Sequence, residues 1–274
     1  MITLACTGGI GSGKSYICRI FSAMGVPVYD SDSRTKALYD EDTQLRGALV
    51  DLLGKEILTG GNEVGVAAGS EAGIAADADT AGTEAGIAAD AVAAGTGAVA
   101  GIGAGTARIN RRAMAAKIFG NPSLMKKLKE LVYPAVIKDF TKWKSQFEDA
   151  TRNSANLATC IQSDSSSHNL ATRIQSDNNV ASTPPFVIFE SAIILENPDV
   201  LAVAEKVLTV SSPLEVRVER IRLRDGGTDL EIQARINNQW TDEQREAMAD
   251  FVIVSDNKAA LLPQVENVYN KVVG

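Results

Sequence analysis

The strongest chemical signal in the chain is a run of eight residues near the N-terminus. Gly8-Gly9-Ile10-Gly11-Ser12-Gly13-Lys14-Ser15 fits the spacing G-x-x-x-x-G-K-[ST]. The glycines allow successive backbone N–H groups to curl round a phosphate without Cβ clashes, and the helix that follows points its positive end at the anion. The pattern predicts that Gly9, Ile10, Gly11, Ser12, Gly13, Lys14 and Ser15 cradle the phosphates of ATP. Lys14 would bridge the β- and γ-phosphates, and the Ser15 hydroxyl would ligate Mg2+. The required context is present, because an apolar strand is predicted over 2–7 and a helix over 14–24.

Two further groups could act on whatever the cradle holds. A second predicted strand, 26–29, runs into Asp30-Ser31-Asp32 and so brings carboxylates to the C-terminal edge of the sheet, where ligands bind in open α/β folds. A carboxylate there can take the proton of an attacking hydroxyl, although Asp32 also suits the N-cap of a helix starting at Ser33. Arg217, Arg220, Arg222 and Arg224 crowd one helix just before Gly226-Gly227. Arginines beside such a hinge suggest a lid that closes over phosphates, the alternative being a solvated basic face.

These groups need elements to hold them. Helices are predicted over 33–53 with a break near Asp40, over 108–119, over 122–147 with Pro134 forcing a kink or break, over 213–224 and over 261–272. Thr228 and Glu231 form a capping box for another helix, and strands are predicted over 186–189, 206–210 and 251–254. Alternating strands and helices imply an α/β fold, a three-layer α/β/α arrangement of the P-loop NTPase type around a five-stranded, mostly parallel sheet. Two stretches differ in composition. Residues from about 60 to 106 are mostly Ala and Gly, and those from about 151 to 183 are rich in Ser, Asn, Thr and Asp. Each contains one repeat spaced by 13 residues, too short and too few for a solenoid, so both are read as inserted surface loops.

The bulk numbers narrow the chemistry. The 274 residues are 45% apolar, which suits a single globular kinase-sized domain, and the net charge of -7 argues against nucleic acid as the main partner. No apolar run is long enough for a membrane span, and no charged signal-peptide start precedes the first strand. The three cysteines, Cys6, Cys18 and Cys160, show no metal spacing and suit a reducing compartment, so a cytoplasmic location is expected. The single histidine, His168, lies in a polar stretch, so any mechanism runs on carboxylates, lysine, arginine and a metal. A guanine-reading Asn-Lys-x-Asp is missing, because Ala260 follows Asn257-Lys258 where an aspartate would stand.

Taken together, Leu4 to Ser15 and then Val28 to Asp32 resemble the dephospho-CoA kinase family, which has T-G-G-I-G-S-G-K-S and a strand ending in D-x-D. Asn110 to Met114 with Ile118-Phe119 and Asn121-Pro122, Leu131 to Pro134, Glu190 to Glu196, Arg220 to Asp225, Arg235 to Gln239 and 249–253 follow in the family's order. The resemblance covers residues 1–58, 107–150 and 185–273. It implies a core of 1–33 and 185–274, a helical acceptor-binding domain over 34–150, and a lid at about 220–240. It implies transfer of the ATP γ-phosphate to the ribose 3′-hydroxyl of dephospho-CoA by a monomer or weak homo-oligomer, with no membrane or nucleic-acid partner. By position, Asp32 would orient the acceptor hydroxyl, Arg111 and Tyr133 would hold the acceptor, and Arg224 with Arg220 would reach the phosphates. Tyr133 replaces the family's usual His, Glu190 its Asp, Ala192 its Pro, and Ser255 an Asn near the adenine. The residues alone also suit another small-metabolite kinase of the nucleoside-monophosphate-kinase type, or an idle nucleotide-binding protein.

Overall fold

The computed structural model describes residues 1–59, 108–163 and 184–274, with side chains outside 150–163. The two biased stretches therefore lie mostly outside the described residues, as does His168.

Strand β1 (Ile2–Gly8) is buried at every position after Ile2, as expected for a strand covered on both faces. It pairs in parallel with β5 (Phe186–Glu190) on one side and β6 (Lys206–Ser211) on the other. β2 (Val28–Asp30) adds beyond β5 and β7 (Phe251–Val254) beyond β6, giving a five-stranded parallel sheet in the order β2-β5-β1-β6-β7. Because side chains alternate across a strand, neighbouring residues enter two different cores. Leu4, Cys6, Phe186 and Ile188 face one cluster with Ile17 and Phe21 of α1 (Lys14–Ala23) and Val265 and Val268 of α10 (Leu261–Val273). Ala5, Val187 and Phe189 face the other, built with α2 (Ser31–Glu41), α3 (Thr43–Leu53), α4 (Arg111–Ile118) and α5 (Pro122–Ser163). This is the three-layer architecture expected from the alternation of elements.

Several local expectations differ from what is found. The first helix of the region expected over 33–53 starts earlier, at Ser31, and the break expected near Asp40 falls at Asp42. The Asp42 carboxylate accepts from the N–H groups of Gln44 and Leu45 and so caps α3. Pro134 does not break α5. One helix runs from Pro122 through Ser163, because buried Val132 and Val136 on either side hold it to the core while the proline itself is exposed. The same helix continues past residue 151, where an inserted loop was expected. Residues 151–163 contain no Gly or Pro, and extending an existing helix carries no nucleation cost. A two-residue antiparallel pair was not anticipated: β3 (Leu58–Thr59) meets β4 (Arg108–Ile109), so the two ends of the first biased stretch lie side by side. The short α6 (Pro198–Leu201) and α9 (Asp242–Ala247) were also missed, though Thr241 and Gln244 form a second capping box. α7 (Leu214–Asp225) and α8 (Asp229–Asn237) flank Gly226-Gly227 as expected, with the predicted capping box at Thr228. Among the described residues no helix is long and apolar enough to cross a membrane.

Candidate active site

The chain leaves β1 at Gly8 and turns into α1. A Cβ at Gly8 would stand 2.6 Å from the Val210 carbonyl oxygen, and one at Gly11 (φ 77°) would stand 2.7 Å from that of Arg217. Backbone cannot retreat as a flexible side chain can, so both positions exclude larger residues. Gly13 lies in the left-handed region at φ 93° and starts the helix. The α1 ladder opens with the N–H groups of Tyr16 and Ile17 on the Gly13 carbonyl, at 2.9 and 3.1 Å. The N–H groups before them stand outside the ladder, at the positive end of the helix.

Lys14 and Ser15 both turn to one atom. The Lys14 ammonium and the Ser15 hydroxyl each donate to Glu190 Oε1 at 2.6 Å. Glu190 ends β5, level with Asp30 of β2 and Cys6 of β1, and is buried. Burial pulls the Lys14 ammonium toward its neutral form, but Glu190 and, after it, Asp32 outweigh that and raise it above the ordinary lysine value. The coupling brings Asp32 into the same site. The N-cap of α2 is Asp30, which accepts from the N–H groups of Asp32 and Ser33, so Asp32 belongs to the first turn rather than to the cap. Among the described residues no group of three or more His, Cys, Asp or Glu gathers as a metal cage. The Ser15 hydroxyl beside the Glu190 carboxylate is a hard-oxygen pair that fits Mg2+, which binds through one or two protein oxygens and substrate phosphates.

Arg111, expected to hold the acceptor, begins α4 and donates to the Lys36 carbonyl at 3.1 Å, with Asp40 3.7 Å away. Tyr133 packs half-buried against the core cluster from α5. Tyr39 of α2, which the sequence alone did not single out, is fully buried in the same cluster. Burial raises its phenol above the usual range, while Arg111 acts to lower it and Tyr133 and Asp32 to raise it. The three residues expected to meet the acceptor thus all act electrostatically on one buried tyrosine. α2 is held to α5 by Asp139, which accepts from Arg34 Nε at 2.9 Å, from Arg34 Nη2 at 3.0 Å and from the Tyr29 hydroxyl at 2.7 Å.

The four arginines of α7 divide into two kinds. Arg222 and Arg224 are exposed, whereas Arg217 is buried and Arg220 half-buried. Arg224 forks onto Asp225 at 2.6 and 2.8 Å, and Arg235 adds a third bond to that carboxylate at 3.0 Å. Arg224 first, and then Arg235, hold the Asp225 carboxyl below the usual range. Arg220, expected at the phosphates, donates to the Gly11 and Ser12 carbonyls at 3.2 and 3.1 Å, and to Ser255 Oγ and Asn257 Oδ1 at 3.1 and 2.6 Å. Carbonyls of a phosphate cradle point away from its N–H groups, so Arg220 braces the cradle from behind. Asn257, two residues past the departure at Ser255, brings an amide to this corner.

The sequence model of the dephospho-CoA kinase family matches residues 2–67 and 166–260, more than half of the chain. The chain belongs to the dephospho-CoA kinase family. Curated relatives named dephospho-CoA kinase include one from Bacteroides fragilis YCH46, 26% identical, with 96% of this chain and 89% of that protein covered. Another, from Porphyromonas gingivalis W83, is 27% identical, with 99% and 95% covered. Two solved structures share the fold over 99% of this chain and 96% of theirs: TT1252 from Thermus thermophilus, with a TM-score of 0.59 at 21% identity, and dephospho-CoA kinase from Campylobacter jejuni, with 0.51 at 16%. The dephospho-CoA kinase model leaves out 68–165, so the helices that carry Arg111 and Tyr133 lie outside its match.

Proposed function

We propose that this chain transfers the γ-phosphate of ATP to the ribose 3′-hydroxyl of dephospho-CoA, giving coenzyme A and ADP. One observation carries the reading beyond phosphate binding. Asp32, in the first turn of the helix after β2, follows Asp30, which stands level with the Glu190 that holds the cradle lysine, and in this reading that gives an acceptor hydroxyl and a γ-phosphate adjoining places.

In this reading N–H groups of the cradle from Gly9 to Ser15, other than that of Ile10, which donates to Gln239, hold the phosphates, and Lys14 leaves Glu190 for the β- and γ-oxygens. Ser15 and Glu190 would hold Mg2+, which neutralises charge on those oxygens when bound. Asp32 orients the acceptor oxygen and accepts its proton as the new O–P bond forms and the bond from the γ-phosphorus to ADP breaks. Arg111 and Tyr133 hold the acceptor in the helical region over 34–150. Arg224 turns from Asp225 to the transferring phosphoryl when the lid at about 220–240 closes, and Arg220 keeps the cradle in shape. The protein is proposed to be cytoplasmic, in keeping with the free, buried thiols of Cys6 and Cys18, and to work as a monomer or weak homo-oligomer. The test is ADP release measured with dephospho-CoA, AMP, shikimate or gluconate as acceptor. Turnover of dephospho-CoA well above the others is expected, and no turnover of it sinks the proposal.

A further inference from the structure

The tip of the cradle is held by side chains from the lid and the helix beyond it. The Ile10 N–H donates to Gln239 Oε1 at 2.7 Å, and the Ile10 carbonyl accepts from Arg217 Nε at 2.9 Å. Both polar groups of that residue are therefore occupied by side chains more than 200 positions away. The two holders are joined to each other. Arg217 Nη1 donates to Asp242 Oδ2 at 3.1 Å, Arg245 Nη1 to Asp242 Oδ1 at 3.0 Å, and Arg245 Nη2 to Gln239 Oε1 at 3.4 Å. The circuit Ile10, Gln239, Arg245, Asp242, Arg217 closes on itself.

The circuit is an expensive way to stabilise a fold. Arg217 and Arg245 are 4% and 2% exposed, and one carboxylate serves both. Arg217 Nη2 is buried with no hydrogen-bond partner, pressed against Gly9. Apolar residues of similar volume commonly serve stability as well as buried ion pairs do, or better. What apolar residues cannot do is orient a peptide. Here the Ile10 carbonyl is pulled toward α7 and its N–H toward the turn after α8. This limits rotation of the next peptide, whose Gly11 N–H belongs to the cradle.

We infer that Gln239 and Asp242, through Arg217 and Arg245, are positioning residues that hold the phosphate cradle in its ATP-binding shape and tie it to the lid. Arg217 shares α7 with Arg220 and Arg224, and Gln239 follows α8, so movement of the lid is felt at Ile10. The inference rests on the reading that the cradle binds ATP.

The test compares Gln239→Met, which keeps length but removes the accepting oxygen, with Gln239→Glu, which keeps the oxygen. Losing one such bond predicts that Gln239→Met raises the calorimetric Kd and the KM for ATP about 5- to 10-fold. The KM for dephospho-CoA should stay within about 2-fold of wild type, the scatter expected of an untouched site. Gln239→Glu should recover most of the loss. An unchanged ATP affinity in Gln239→Met, or an equal rise in both KM values, overturns the inference. A measurement on the wild-type protein guards against a variant that folds poorly. The Ile10 amide should exchange with solvent far more slowly than an open loop amide, and exchange at the open-loop rate overturns the inference as well. The ATP Kd reads the circuit even if wild type fails to phosphorylate dephospho-CoA, so failure of the proposed function and failure of the circuit are distinct results.

Discussion

Replacing Glu190 with Gln should weaken ATP binding when Mg2+ is present and strengthen it when Mg2+ is chelated. In the resting site the carboxylate holds Lys14 Nζ and Ser15 Oγ at 2.6 Å each. A phosphate oxygen that takes Lys14 at a similar distance comes within about 5 Å of Glu190 Oε1. At an effective dielectric of about 20, that separation costs about 3 kcal/mol per unit charge. Solvent reaching the mouth of the site reduces this to about 1 kcal/mol, or about 5-fold in Kd. Without metal, then, Glu190→Gln should bind ATP about 5-fold more tightly. With Mg2+ the sign reverses, because the variant loses the carboxylate proposed to hold the ion, and kcat should fall at least about 10-fold.

Glu190→Gln also removes the main partner of a buried ammonium. Breaking a fully buried pair costs about 3–5 kcal/mol, and the Lys14 side chain is 12% exposed, so about 2–3 kcal/mol is expected. For a domain of this size that lowers Tm by about 5–10 °C. The assays are isothermal titration with ATP in EDTA and in Mg2+, with a melting curve for each protein. Equal weakening of ATP binding in both buffers would refute the reasoning, since it would show that Glu190 shapes the cradle and does not compete with the nucleotide.

Other expectations are simpler. Asp32→Asn should cut kcat by about 10²-fold or more while the Kd for ATP stays near wild type; a calorimetric and kinetic comparison decides it. Arg224→Ala should lower kcat by about 10²-fold but shift Tm little, because an exposed pair such as Arg224–Asp225 contributes less than about 1 kcal/mol. Gly8→Ala should abolish measurable ATP binding, since the new Cβ meets the Val210 carbonyl; tight binding by that variant would contradict the cradle geometry. Burial alone would raise the Asp139 carboxyl, but Arg34 and Tyr29 outweigh it and lower it. Its contribution to stability is therefore complete above the usual carboxylate value and fades as pH falls through its lower folded-state value. Asp139→Asn should melt lower than wild type at neutral pH and show a shallower loss of Tm on acidification, read from melting curves across acid pH.

The parts of the site that were legible in the sequence are local. Gly8 to Ser15 announces itself because each residue type follows from the shape of one tight turn. The sheet was readable because parallel strands buried on both faces leave unbroken apolar runs such as 186–189. What escaped depends on contacts between distant segments. Glu190 stood out only as a departure from a family pattern, and nothing in its neighbourhood says that Lys14 and Ser15 both point at it. Arg217 and Arg220 sit among four arginines that look alike on paper. Only the fold reveals that two face the cradle and two face solvent. Tyr39 reads as an ordinary core residue of an amphipathic helix, and its neighbours Arg111 and Tyr133 come from elements more than 70 residues away. The start of α2 was missed because its capping aspartate is Asp30, two residues before the expected Asp32.

The central strand has a long wait during synthesis. Ile2 finds its first neighbour in Phe186, and at roughly 5–20 residues per second β1 emerges roughly 10–40 s before β5 exists. Throughout that time an apolar strand with two open edges and the cradle lysine just behind it have no sheet to join. Closing so long a loop is only weakly sensitive to its length. Removing residues 60–107 and 164–183 altogether would ease closure by about 0.4 kcal/mol on the logarithmic law. The biased stretches therefore delay the appearance of the active site in time far more than they oppose its formation in free energy.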